Sequence, residues 1–282
     1  MMKKLLLTII AINLAVMNVW AQGKYPEGYL SDETRPDGLL WLPAPPALTG
    51  ADFTYDYYYY QWGRTQRDGA SGDLALLDES DPLENIFGGL IGLTLDEVTT
   101  PEILLLVERA VSDAHAANKK VKDYYQRTRP FAQFKEPSLK PWDDDEEAET
   151  FSYPSGHSSR GWMYAFVLAS VVPDLAESLF SRAYLYAMNR VVCGHHWKSD
   201  TDASLMLTAG IFATIVGTDA YQEQLKKARA EYQKLKGNTR IDAPKESSAS
   251  KGAAIYDMEG RLLSAKPDNG VYIQKGQKFI SK

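Results

Sequence analysis

Three short segments, far apart in the chain, carry side chains whose chemistry is complete only when they meet, so any fold this sequence adopts must bring them to one place. The first, KDYYQRTRP (122–130), holds Lys122 and Arg129 seven residues apart. The second, PSGH (154–157), carries Ser155, Gly156 and His157, and the third, NRVVCGHHWKSD (189–200), carries Arg190, His195, His196 and Asp200. Lys122, Arg129 and Arg190 are three cations, two of them guanidinium forks that can grip a tetrahedral oxyanion through paired hydrogen bonds. Ser155 and Gly156 sit at a loop-to-helix junction, where a hydroxyl and backbone N–H groups favour an anion. Any one of these cations alone is an ordinary surface charge. Their conjunction with histidines and a carboxylate points to an oxyanion clamp with reactive imidazoles beside it.

The connecting sequence reads as helical, an all-α bundle. Thr100 as N-cap and Pro101 at the first helical position start a helix that runs to near Tyr125. Arg129 precedes a proline, which excludes helical geometry there and ends the element. Lys122 therefore lies on the last turns of a helix and Arg129 on the loop beyond it. Further helices are expected at 158–172, stopped by Pro173, at 174 to about 190, from 199 or 200 to about 217, and at 219–235. If a helical turn runs through 196–200, His196 and Asp200 are neighbours. The apolar stretches 161–172 and 205–218 fall short of the roughly 18 to 20 residues that span a bilayer.

Around this frame, residues 22–50 are rich in Pro and Gly and end in LPAPP (42–46), an extended lead-in. Tyr55, Tyr57, Tyr58, Tyr59 and Tyr60 read as a core-facing aromatic stripe in preference to a base-stacking platform. The stretch 135–150 holds Asp143, Asp144, Asp145, Glu146, Glu147 and Glu149 and reads as a solvated acidic loop, because contiguous carboxylates without intervening Gly rarely wrap one ion.

A chain of 282 residues, 44% of them apolar, can build one substantial core. Residues 1–21 read as a secretory signal, with Lys3 and Lys4 before an apolar run and a small residue at the cleavage point. Removing those two lysines and no acid moves the formal charge from −6 to −8. An acidic chain with no basic stripe is a poor partner for polymeric nucleic acid. The single cysteine, Cys193, excludes an intrachain disulfide framework and reads as a small buried apolar residue. His115 reads as an ordinary surface or core histidine. Of the adjacent pair, His196 has Asp200 four residues on, whereas His195 has only Ser199, a weaker orienting group. Two adjacent histidines face different ways in a helix, so a mononuclear metal site lacks ligands and no metal is expected.

The order Lys, six residues, Arg-Pro, then Pro-Ser-Gly-His, then Arg, five residues, His, three residues, Asp resembles the signature of the phosphatidic-acid-phosphatase-type (PAP2, vanadium haloperoxidase-like) superfamily. Over residues 38–236 the wording YYQRTRPF, SYPSGHSSRGW and RVVCGHHWKSDTDA, with LPAPP, is most similar to the bacterial class A non-specific acid phosphatases. One departure is Asn189, where the family usually has Ser before the arginine, which puts one auxiliary hydrogen bond in doubt. The resemblance implies a helical bundle over 22–237 that hydrolyses phosphate monoesters without a cofactor. It implies His196 as nucleophile forming a phosphohistidine, Asp200 orienting it, His157 as general acid and then base, and Lys122, Arg129, Ser155, Gly156 and Arg190 as phosphate binders. A vanadium-dependent haloperoxidase, which uses nearly the same clamp, is the alternative. A non-catalytic phosphate-binding module is disfavoured because binding alone needs only cations and amides.

Beyond a Ser-, Ala- and Lys-rich linker (238–252), residues 253–282 alternate apolar and polar between Glu-Gly, Asn-Gly and Lys-Gly turns, giving two to four short strands or a β-hairpin. IYDMEGR and GVYIQKGQK resemble, in shortened form, the C-terminal sorting domains of the type IX (Por) secretion system of Bacteroidetes-like bacteria. A hairpin without any address function stands as the alternative. The expected location is periplasmic, secreted or at the cell surface; the expected partners are small phosphate monoesters and the type IX machinery, with a homo-oligomer left open.

Overall fold

The computed structural model describes residues 25–79 and 83–238, and in the tail 255–256, 262–263, 265–267, 270–274 and 277–281. The expected signal segment and nearly all of the expected linker lie outside the described residues. The chain divides into two compact units, residues 1–237 and 238–282.

The first unit is helical: α1 (Phe53–Thr65), α2 (Ala70–Leu77), α3 (Pro101–Tyr125), α4 (Pro130–Phe134), α5 (Asp144–Ala148), α6 (Gly156–Val171), α7 (Ala176–Cys193), α8 (Lys198–Ile215) and α9 (Asp219–Asn238), with a π-helical turn at Glu84–Gly88. Helix α6 is the centre, packed against α3, α7 and α8. Its Met163, Ala165, Val167 and Leu168 are fully buried, as are Leu106 and Val121 of α3, Leu179 and Ala183 of α7, and Leu207 and Ile211 of α8. Gly161 lets α7 come close, since a Cβ there would stand 2.4 Å from Tyr186 Cδ1.

The expected boundaries hold to within a few residues, and the differences have physical reasons. Pro101 does open α3 after Thr100, but Thr100 does not cap it. The Thr100 hydroxyl instead donates to the carbonyls of Thr94 and Asp96. The orphan N–H groups of Glu102 and Ile103 are taken by the Glu231 carboxylate of α9, at 3.2 and 2.9 Å, a cap delivered from across the fold. Helix α7 continues past Arg190 to Cys193 and stops at Gly194, which turns left-handed at φ 84°. That turn returns the N–H groups of His195 and His196 to the Arg190 carbonyl, at 3.2 and 3.3 Å, the closing pattern of a glycine-terminated helix.

The lead-in 25–50 is tied to α3 by Asp113, which is fully buried and accepts from the backbone N–H groups of Tyr29 and Leu30 and from Arg35. The tyrosine stripe departs from expectation. Tyr60 is 2% exposed, but Tyr58 is 62% and Tyr55 and Tyr57 are 46% exposed, because α1 lies on the surface and turns only one face inward. Cys193 is fully buried with its thiol on the Ala75 carbonyl, and burial pushes its pKa up to about 12.

The second unit holds β1 (Ile255–Tyr256), β2 (Leu262–Leu263), β3 (Gly270–Gln274) and β4 (Gln277–Ser281) in an antiparallel sheet of order β2-β1-β3-β4. Strands β3 and β4 form the hairpin, with Val271 opposite Ile280 and Tyr272 opposite Phe279.

Candidate active site

Each of the three segments delivers its side chains from the end of a helix. Lys122 stands on the last full turn of α3, and Gln126, at φ 47°, turns the chain away. Arg129 is extended at φ −71°, ψ 152°, as the residue before the proline that opens α4. Lys122 Nζ donates to the Phe151 carbonyl at 2.7 Å. Burial, and then the neighbouring Arg129 guanidinium, hold its pKa down to about 8. Arg129, buried, donates through Nη1 to the His195 carbonyl (2.9 Å) and toward His196 Nε2 (3.1 Å), and through Nε to the Glu147 carbonyl and the Thr150 hydroxyl.

Ser155 is the N-cap of α6, its Oγ accepting from the Ser158 N–H at 3.2 Å. It is fully buried, and the hydroxyl works on the helix end rather than lining the pocket. Gly156, the first residue of α6, does line it, with the positive end of a sixteen-residue helix behind.

The third segment sets the tautomers. A guanidinium has only donors, so His196 Nε2, facing Arg129 Nη1, must be the lone-pair nitrogen. The ring proton then sits on Nδ1 and donates to Asp200 Oδ2 at 3.4 Å. The same logic applied to His195, whose Nδ1 receives Arg190 Nη2 at 2.9 Å, makes its Nε2 the donor to Ser138 Oγ at 3.1 Å. His195 is fully buried and its pKa is driven down to about 2 by burial and then by Arg190; it holds the arginine rather than facing the pocket. The His196–Asp200 contact arises differently from expectation. Helix α8 begins only at Lys198, and Asp200 reaches back over its first turn, accepting from the Trp197 N–H at 2.8 Å as well as from His196.

His157 donates from Nε2 to the Asp78 carbonyl at 2.7 Å, which leaves Nδ1 as its titrating nitrogen. Its ring lies flat on Tyr186, centroids 4.6 Å apart. Burial and then Arg190 keep its pKa well below the usual histidine range, and burial and then Arg129 do the same to His196. Lys122, Arg129, Gly156, His157, Arg190 and His196 thus line one pocket of about 460 Å³.

The family profile of the PAP2 superfamily matches residues 103–223. A non-specific acid phosphatase of Providencia stuartii is 34% identical over 212 residues, covering 74% of this chain and 86% of that protein. The chain belongs to the PAP2 superfamily, among the non-specific acid phosphatases. A second such relative, from Salmonella typhimurium, is 32% identical over 205 residues, 71% of this chain and 82% of that one. A solved transmembrane PAP2 type phosphatidylglycerolphosphate phosphatase from Bacillus subtilis aligns at TM-score 0.44 and 20% identity, over 61% of this chain and 88% of that one. Among the described residues here, no single helix is long and apolar enough to cross a membrane.

For a phosphatase of this family, several supporting residues carry no sequence signal. Asp78 supplies the carbonyl for His157 and its carboxylate is gripped by Arg182 and by Asn189 Nδ2 (2.7 Å), so the Asn that departs from the family wording has its own hydrogen bond. Glu79 pairs with Arg190. Glu147, on the stretch expected to be a solvated loop, pairs with Arg129 at 2.7 Å. His115, expected to be ordinary, stands at the pocket wall.

Proposed function

We propose that this phosphatase is an exported enzyme that hydrolyses phosphate monoesters through a covalent phosphohistidine on His196. The observation that carries the reading is His196 Nε2, held as a lone pair 3.1 Å from Arg129 while Nδ1 addresses Asp200. A phosphoryl group gripped by Lys122, Arg129, Arg190 and the α6 N-terminus meets that lone pair. As the N–P bond forms, the ester P–O bond breaks and His157 gives its Nδ1 proton to the leaving alkoxide. Water then attacks phosphorus, His157 takes its proton, the N–P bond breaks and phosphate leaves. Asp200 stabilises the positive imidazole of the intermediate. Three cations around the anion supply the charge stabilisation that a metal supplies elsewhere.

The test is acid-labile phosphoprotein trapped by rapid quench with p-nitrophenyl phosphate in the presence of chelator. Phosphate recovered on His196 supports the reading. Activity that disappears with chelator and returns with a divalent ion would overturn it.

We further propose that residues 1–21 direct export and that 253–282 serve as a type IX address. The support is their composition and the separate sheet-bearing unit. Truncation after Gly237 should leave active enzyme in a heterologous host and mislocalise it in the native cell; an unfolded product would count against the tail's independence.

A further inference from the structure

The carboxylate that orients His196 is itself held by Arg127, on the first segment, which a carboxylate from outside the three segments fixes in turn. Arg127 donates from Nη1 to Asp200 Oδ1 at 2.6 Å and from Nη2 to Asp56 Oδ2 at 2.6 Å. Asp56, from α1, is braced in turn by Ser199, whose N–H reaches Oδ1 at 2.8 Å and whose hydroxyl reaches Oδ2 at 2.6 Å. Arg127 also donates to the Ser199 hydroxyl at 2.8 Å and lies over the Trp197 ring at 5.2 Å. Both carboxylates are fully buried and the Arg127 side chain is 9% exposed.

We infer that Arg127, fixed by Asp56, is a positioning residue for the phosphatase reaction: it keeps Asp200 ionised and aimed, and thereby holds His196 in the tautomer whose Nε2 is nucleophilic. The inference rests on the reading of His196 as nucleophile. The argument is one of proton placement. A buried carboxylate without a cation takes up a proton, and burial does push Asp200 upward while Arg127 pulls it back. A protonated Asp200 can donate to His196 Nδ1. The ring proton then belongs on Nε2, where it points at the Arg129 donors and removes the attacking lone pair. With Arg127 in place the row Asp56, Arg127, Asp200, His196 alternates in sign once His196 carries phosphate and positive charge, so the intermediate is stabilised along its whole length.

The experiment compares wild type with Arg127→Gln, Arg127→Lys and Asp56→Asn by two readouts. In kinetics, Arg127→Gln should lower kcat by about 10- to 100-fold, the scale for losing an outer partner that orients a reactive imidazole, with KM changed less than about 3-fold because the phosphate clamp is untouched. Asp56→Asn, which keeps shape, should show a smaller loss in the same direction, and Arg127→Lys a partial recovery. In 15N-histidine NMR, with only four histidines in the chain, His196 should be the Nδ1–H tautomer in wild type and shift toward Nε2–H in Arg127→Gln. Should Arg127→Gln fail to fold, Asp56→Asn and Arg127→Lys carry the same test. A folded variant with unchanged kcat and unchanged His196 tautomer overturns the inference. A His196→Ala enzyme that still forms phosphoenzyme overturns the nucleophile reading instead, and the tautomer readout separates the two.

Discussion

Glu147 holds Arg129 twice, its carboxylate 2.7 Å from Nη2 and its backbone carbonyl 3.0 Å from Nε. The carbonyl bond fixes the guanidinium, but the side chain occupies a donor that a phosphate oxygen also needs. Glu147 is about one-third exposed, so water screens its hold on the buried Arg129 and a ligand can displace it. Glu147→Gln should therefore lower KM for a phosphate monoester and Ki for inorganic phosphate by about 2- to 5-fold with kcat nearly unchanged. Weaker phosphate inhibition in the variant would show that the carboxylate steadies the clamp rather than competing with its ligand.

The two imidazoles should respond differently to the leaving group. His196→Ala should abolish turnover of every monoester and leave no trapped phosphoprotein. His157→Ala removes a proton donor worth about 10²–10⁴-fold, but p-nitrophenolate departs without much protonation. The loss in the phosphorylation step should be far larger for glycerol phosphate than for p-nitrophenyl phosphate, and phosphohistidine should accumulate. Selectivity for the leaving group in His196→Ala, with phosphate on His157, would reverse the roles.

Stability should depend on pH through the buried histidines. His157, His195 and His196 all have pKa values held below the ordinary 6.5. Below about pH 6.5 the unfolded chain takes up protons that the folded chain refuses, so the unfolded state gains and stability falls as pH falls. Asp200 and Glu108, both raised by burial and the latter to about 7, oppose this because the folded chain takes up their protons first, so the fall is what the three histidines leave over these carboxyls. Tm of the enzyme without phosphate should drop by roughly 5 °C or more between pH 7 and pH 5, and saturating phosphate should reduce the drop by favouring charged His157. A flat Tm across that window would contradict the burial of neutral imidazoles.

Glu231 caps α3 from α9, a contact that affects folding and not the pocket. Glu231→Ala should cost about 1 kcal/mol, seen as a lower urea midpoint, with kcat within about twofold of wild type. A matching loss of kcat would mean that α3 transmits the change to Lys122.

Much of this was legible in the sequence because punctuation is local. Pro101, Pro130 and Pro173 start or stop helices through their own backbone chemistry, and Arg129 lies directly at one of those boundaries. Asp56, Asp78, Glu79 and Arg127 were illegible for the opposite reason. Each acts on a residue between 71 and 143 positions away, and no periodicity or spacing marks a partner that only tertiary packing supplies. The tyrosines of α1 misled because an aromatic run does not reveal how much of a surface helix faces inward.

Asp200 caps the first turn of α8 with the same oxygen that addresses His196. A lineage that no longer needed the phosphatase could not shed that carboxylate freely, because the replacement would also unseat a buried helix end and a buried arginine. Selection for a foldable chain alone would preserve the aspartate, so its retention in a relative would testify to the architecture before it testified to the chemistry.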